Sequence, residues 1–520
     1  MRKSFISSAI ILIVAGFIAR LIGFVYRIYL SNLIGAEGMG LFQLVVPVYT
    51  AAVLTITAGI SIAVSKMVAE QQARNNTANS GRITSCAMAL VVTAGTLVSL
   101  FIFLNINVIS TKILGDARTY KALLLMVPCI PVVVAAAALK GYFYGLQKVM
   151  PTAFSQVAEQ LVKIAFVLLL TGGISEKGVE YACAVATLSA ALGEVVNVLV
   201  LAVVYMCKRR RVFRENHTSR LMRKRSIVAE LLKISVPVST NRLIVSLLSA
   251  AEYIMIPAML VSGGLDYKSS MEVFGRLTGM ALPLVMFPSL VTNSLATTLV
   301  PAISESISVK NYKAVNYKIS KSIQTTLILG MIFAAMLISY PSEIGSLIYK
   351  YEDIGSLLYM LSFSCIFIYL QQTLTGVLNG LGKQGVLLRD TVIGSAIRIA
   401  VVYFLMSVYG IRIYVLSLTV SFIITSCLHL FVINKVTGLL IDLRGWLLKP
   451  GLIAIVMILI GKYIYNFFMI LNLGTSITIL MTLVANALIS GFLMMMTGIF
   501  KPDEIFKMVG FKTRRKIKEN

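Results

Sequence analysis

Residues 6–29 read ISSAIILIVAGFIARLIGFVYRIY, an apolar stretch interrupted by two arginines, Arg20 and Arg27. At about 1.5 Å per residue a helix of this length is about 36 Å long, enough to cross about 30 Å of hydrocarbon. Residues seven apart fall about 20° short of two full turns, so both guanidinia leave the helix on one face. Arg20 lies roughly 21 Å from the start of the stretch, past the midplane, and Arg27 roughly 32 Å along it, near the far interface. An arginine at the centre of a span costs about 2.5–3.5 kcal/mol on insertion scales, so such residues face a water-filled cavity or a partner. A permanent cation in a cavity selects an anion, and phosphate matches the guanidinium fork. Near the interface Arg27 could instead snorkel.

The rest of the chain extends this reading. Of 520 residues, 58% are hydrophobic and 13% charged, with mean hydropathy +0.88. That is the composition of a polytopic membrane protein, with no segment polar enough for a soluble domain. Met1-Arg2-Lys3 before an apolar run has the look of a signal peptide, but the run is too long and lacks a small-residue cleavage site, so an uncleaved first span is expected. The six cysteines show no C-x-x-C spacing, and His217 and His429 are far apart in sequence. Neither a disulfide framework, a metal site nor a cofactor is expected. No G-x-x-x-x-G-K-[ST] motif occurs, so energy has to come from an ion gradient, the membrane potential or substrate flux. A membrane-embedded glycosyltransferase would need a catalytic carboxylate or metal site and substantial external loops, which are lacking, so no enzyme is expected.

Segments long enough to span fall at 6–30, 41–65, 83–105, 122–144, 151–173, 182–207, 231–260, 277–300, 322–341, 356–379, 390–409, 413–434, 450–470 and 477–500. The predicted fold is therefore all-α, with fourteen transmembrane helices. The net charge of +26 would suggest nucleic acid in a soluble protein, but here it follows the positive-inside rule. With the N-terminus inside, 31 of the 47 Lys and Arg residues fall in cytoplasmic segments and eight outside. A multi-pass cell-membrane protein with both termini cytoplasmic is the expectation. The basic run from Lys208 to Arg225 reads as a topogenic linker that binds lipid headgroups rather than nucleic acid.

The chain also repeats itself at an offset of 235 residues. Gly141, Gly145, Leu146 and Lys148 match Gly376, Gly380, Leu381 and Lys383; Ile164-Ala165 matches Ile399-Ala400; Glu70 matches Glu305. The Gly-x-x-x-Gly pairs read as close packing at a helix end. Two pseudo-symmetric six-helix lobes follow, residues 1–207 and 231–434, joined by the basic linker 208–230. Two further helices fill 435–500, and a basic tail covers 501–520. Each lobe holds an even number of helices, so both run in the same direction. The expected axis lies along the membrane normal, with the substrate path between the lobes and alternating access by rocking.

Inside the spans cations outnumber acids. Arg20, Arg27, Lys163, Arg242 and Arg398, with polar Asn241 beside Arg242, form the candidate anion-binding set. Glu159, Glu194 and Glu252 are the candidate gating or ion-coupling acids. Glu159 precedes Lys163 by four residues, the favourable order for a pair on one helix face, so a structural ion pair is the alternative for both. An Arg27–Glu252 bridge is the expected gate.

Three sets of residues carry a family likeness. The stretches 19–27 (ARLIGFVYR) and 34–40 (IGAEGMG) resemble the opening of the polysaccharide flippases, sporulation proteins among them. Residues 275–277 (GRL), 282–284 (LPL) and 299–304 (LVPAIS) resemble the eighth helix of lipid II flippases. All belong to the multidrug/oligosaccharidyl-lipid/polysaccharide exporter superfamily, and the likeness covers essentially the whole chain. It implies movement of an undecaprenyl-pyrophosphate-linked saccharide from the inner to the outer leaflet, by a monomer in contact with membrane lipids and with a coupling ion as a further partner. It also implies head-group contacts for Arg20, Arg27 and Arg276, and a lipid-tail groove on the last two helices. Lipid II flippases carry basic residues in their second helix, whereas none lies between Gln43 and Lys66 here. The resemblance thus leaves the saccharide open, with spore-cortex peptidoglycan the suggestion of the sporulation relatives. A cation-coupled multidrug antiporter of the same superfamily is the alternative. It would favour acids over arginines in the first helix.

Overall fold

Hydrocarbon offers no hydrogen-bond partners, so a chain this apolar has to satisfy its backbone within each segment. The computed structural model describes residues 2–73, 76–170, 174–215, 222–349, 353–471 and 474–497, and every regular element among them is helical. Twelve described helices are long and apolar enough to span a membrane, or thirteen when Tyr267–Met286 and Ser289–Ser308 are taken as one broken span. The first of them, Val14–Ala73, has 60 residues, about 90 Å of helix, far more than one crossing needs. It is broken at Gly35, whose φ of 69° suits a residue without Cβ, and its two arms bring the count to fourteen. The protein is an all-α, multi-pass membrane protein. The basic tail 501–520 and residues 216–221 of the basic linker lie outside the described residues.

Large apolar side chains point outward along the spans. Leu104, Leu169, Phe404 and Ile470 are each at least 70% exposed, more than water would tolerate in so extended a belt but suited to acyl chains.

The chain forms two compact units, Met1–Pro283 with Thr391–Tyr414, and Leu284–Asp390 with Val415–Asn520. In the first, the helix Ile130–Gly145 packs on the second arm of the opening helix. A Cβ on Gly141 would lie 2.7 Å from the Ser61 carbonyl oxygen, and one on Gly145 would lie 2.7 Å from that of Ser65 and 2.8 Å from Val68. In the second unit Gly376 and Gly380, on the helix Gly355–Gly380, meet Ser289–Ser308 in the same manner. Their neighbours there are Ala296, the Val300 carbonyl and Ile303. Each of these residues lies 235 positions after its counterpart, so the sequence repeat is also a repeat of packing. Glycine is required at these crossings because backbone meets backbone without room for a methyl group.

The second unit buries Ile303, Ile319, Ile323, Leu374, Val377 and Trp446 in one core. The helix Lys449–Ile470 attaches to Tyr312–Ser339 through Ile328, Ala335, Ile453 and Met457, and Leu493 and Met494 of the last long helix, Thr475–Met496, pack against this cluster.

Gly376→Ala places a methyl 2.6 Å from the Ala296 Cβ. It is expected to destabilise the detergent-solubilised protein by about 1–3 kcal/mol, the usual cost of overpacking. Gly491→Ala, with nothing within 4 Å, should leave the unfolding temperature unchanged. Equal melting temperatures for the two variants would count against backbone contact as the reason for glycine.

Candidate functional site

The polar residues inside the spans of the first unit gather into two groups. On the helix Met150–Leu170 the predicted pair forms, with Lys163 Nζ 2.6 Å from Glu159 Oε1. Its i, i+4 spacing puts both on one face, and their side chains are 13% and 15% exposed. The other carboxylate oxygen, Oε2, accepts from Asn197 Nδ2 at 2.6 Å on the neighbouring helix Ile174–Glu215. Glu194, one turn before Asn197, accepts from the Tyr49 hydroxyl, and Tyr26 and Ser189 share a hydroxyl bond of 2.8 Å. Lys140 faces the same acids and Lys163, without an ion pair within 4 Å among the described residues. Two acids and two lysines thus balance. Lys163 is taken up by Glu159 and is not a free cation.

Glu252, 3% exposed, lies on the helix Lys224–Ser262. Its Oε1 accepts from Arg398 Nε at 2.7 Å and from the Tyr414 hydroxyl at 2.7 Å, and Arg398 Nη2 reaches Ser395 Oγ at 3.1 Å. The expected Arg27–Glu252 bridge is therefore corrected: the acid's ion pair is with Arg398. Burial explains the choice, since a carboxylate out of water needs a charged donor and a second hydrogen bond. Three helices meet at this one carboxylate.

Arg27 is held elsewhere. Residues Arg276–Ala281 form a π-helical turn, whose wider winding leaves carbonyls outside the regular ladder. Arg27 Nε donates to the Gly279 carbonyl at 3.2 Å, Nη2 to that of Thr278 at 3.1 Å, and Gln43 Nε2 to Thr278 at 2.7 Å. The Arg27 guanidinium and the Gln43 amide, on either side of Gly35, tie both arms of the opening helix to the π-turn.

Arg20 and Arg242 differ. Both are exposed, and neither has an ion pair or hydrogen bond among the described residues. Asn241 is half-buried beside Arg242. Arg276 is one-third exposed, with Nη2 at a loose 3.9 Å from Glu272 Oε2. Charge inside a span with no protein partner marks a ligand-facing or water-facing group. Arginine there can take a phosphate or pyrophosphate through two parallel N–H donors.

Sequence reasoning missed Tyr49, Tyr414, Asn197, Gln43 and Lys140. Only Lys140 carried a signal, as a basic residue within the apolar segment 122–144. A tyrosine hydroxyl inside an apolar run reads like any other aromatic until its partner helix is known.

Residues 5–307 match the family described as polysaccharide biosynthesis protein. The chain belongs to that family. The match spans both polar groups except Arg398 and Tyr414; Arg398 lies within a second match, to the MatE family, over residues 277–404, and Tyr414 lies beyond both. The chain is similar to stage V sporulation protein B of Bacillus subtilis (strain 168). The two share 29% identity over 457 residues, 87% of this chain and 88% of that one. Lipid II flippase MurJ of the same organism is 26% identical over 428 residues, 77% of each chain. In fold the chain resembles a solved lipid II flippase MurJ in an inward closed conformation. The TM-score is 0.70 at 13% identity, covering 96% of this chain and 99% of that one.

The Glu252–Arg398 contact makes a double-mutant cycle informative. Removing one member leaves a buried charge unpaired, so Glu252→Gln should cost about 3–5 kcal/mol of unfolding free energy. Adding Arg398→Gln should return part of that loss. Purely additive effects in thermal or denaturant unfolding would show that the pair is not coupled.

Proposed function

We propose that this protein is a flippase that moves an undecaprenyl-pyrophosphate-linked saccharide from the inner to the outer leaflet by alternating access. The observation that carries the reading is the pair of exposed arginines, Arg20 and Arg242, without an ion pair or hydrogen bond among the described residues and within helices otherwise apolar enough to span. A pyrophosphate supplies the negative charge that such cations select, and a polyprenyl tail can stay in the acyl phase while the head group crosses. Similarity to a lipid II flippase over 77% of each chain supports the same substrate class. A peptidoglycan precursor, for spore cortex in view of the stage V relative, is the specific cargo proposed.

In this reading Arg20 and Arg242, with Asn241 and Arg276, receive the head group. Arg27, Lys163 and Arg398 fix the framework around it. Glu194 and Glu159, in the balanced group with Tyr49, and Glu252 are the acids through which a proton or cation could couple to the cycle. Both termini and the basic linker are proposed to face the cytoplasm, following the asymmetry of Lys and Arg. The protein is proposed to work as a monomer, with the six-helix lobes 1–207 and 231–434 as its two alternating repeats.

A second reading, a cation-coupled multidrug antiporter, draws on the MatE match over 277–404. Two unpartnered arginines would repel a cationic drug, which is why the flippase reading is preferred.

The test is a leaflet-accessibility assay with labelled lipid II in proteoliposomes. Wild type should expose the label, and Arg20→Ala and Arg242→Ala should each slow flipping by about tenfold or more, the worth of one charge-assisted hydrogen bond. Normal flipping by both variants would remove the head-group role. No flipping by wild type would remove lipid II as the cargo, and efflux of a cationic dye in its place would favour the antiporter.

A further inference from the structure

Asp390 and His429 form a further buried contact between ionisable side chains, in a place the transport reading does not use. Asp390 lies on the helix Gln384–Tyr409 and His429 on Ile411–Thr437, and they are 0% and 2% exposed. His429 Nε2 is 3.5 Å from Asp390 Oδ2. A charge-assisted N–H···O bond is normally about 2.7–2.9 Å, so the two groups touch without bonding. Asp390 Oδ2, His429 Nδ1 and His429 Nε2 all lack a hydrogen-bond partner, as does the buried Ser426 Oγ one turn away on the histidine's own helix. Asp390 Oδ1 accepts from Arg389 Nε at 2.8 Å.

Four buried polar atoms without partners, on two facing helices, are unusual. Each is expected to cost about 1–3 kcal/mol unless something completes it. The ligand that fits most simply is a proton. A neutral imidazole carries a single N–H: its Nδ1–H tautomer turns an acceptor toward the carboxylate, and its Nε2–H tautomer can donate to Asp390 only as a neutral donor. A second ring proton makes both nitrogens donors and gives the carboxylate a charge-assisted partner. Burial opposes a charge on the imidazole; of the charged groups that act on it, the Asp390 carboxylate favours the proton and the Arg389 guanidinium opposes it.

We propose that Asp390 and His429 form a proton-binding site within the membrane-embedded part of the protein. Proton uptake there turns the contact into a charge-assisted ion pair between the two helices. The transport consequence rests on the flippase reading: this proton would be the coupling or regulatory ion which that reading leaves unspecified. The site itself does not depend on the cargo.

The chain has two histidines, so His217→Asn leaves one imidazole. Ring-labelled histidine in that full-length variant, reconstituted in lipid nanodiscs, gives a single ring NMR resonance to follow against pH. The resonance should titrate as one proton. Asp390→Asn should weaken proton affinity at least tenfold, moving the midpoint down by one pH unit or more. Arg389→Gln, at a side chain 55% exposed and thus less disruptive to folding, should move it up. A resonance that does not titrate overturns the proposal, and so does a midpoint that Arg389→Gln leaves unmoved. Because the readout is the imidazole and not transport, failure here is distinct from failure of the flippase reading.

Discussion

A cation inside hydrocarbon has to find a counter-ion, a set of carbonyls or water, and that requirement sorts the basic residues of this protein. Lys163 and Arg398 take counter-ions, Glu159 and Glu252, at 2.6 and 2.7 Å. Arg27 takes carbonyls that the π-turn at Arg276–Ala281 leaves available. Arg20 and Arg242 take neither and stay exposed. A charge left unpartnered in a span is costly, so the exposed pair is where an anionic ligand gains most from binding.

The paired cations contribute in another way. The Glu252 carboxylate gathers Arg398 and Tyr414 from two other helices, and Glu159 gathers Lys163 and Asn197. Such contacts are weak evidence for stability, because desolvation offsets much of the Coulomb attraction. They do fix register: sliding a helix by one turn would strand a charge in the acyl phase. The glycine crossings at Gly141, Gly145, Gly376 and Gly380 act through shape, allowing two backbones to meet where no other residue fits. Polar registers and small-residue crossings together specify helix packing where the solvent cannot drive it.

How much of this was legible in the sequence depended on the range of each interaction. The fourteen spans were readable because apolar length is a local property. The Glu159–Lys163 pair was readable because i, i+4 spacing fixes geometry within one helix. The repeat was readable because glycine landmarks survive at one offset, and contacts later placed the same neighbours 235 residues apart. The partner of Glu252 was not readable. Choosing Arg398 over Arg27 depends on how three helices are rotated against one another, and sequence carries no direct record of rotation. The fate of Arg27 was hidden for a further reason: its acceptors are backbone carbonyls, freed by a π-turn that composition does not announce. His429 and Asp390 were invisible as a pair, separated by a whole helix hairpin.

The central claim is that Arg20 and Arg242 recognise a phosphate-bearing head group. Native mass spectrometry of the purified protein, titrated with undecaprenyl pyrophosphate and with uncharged undecaprenol, tests it without requiring transport. The account predicts that wild type retains the pyrophosphate lipid in clear preference to the alcohol, and that Arg20→Gln with Arg242→Gln abolishes the preference while leaving alcohol binding unchanged. Equal retention of both lipids by wild type, or an undiminished preference in the double variant, would contradict it.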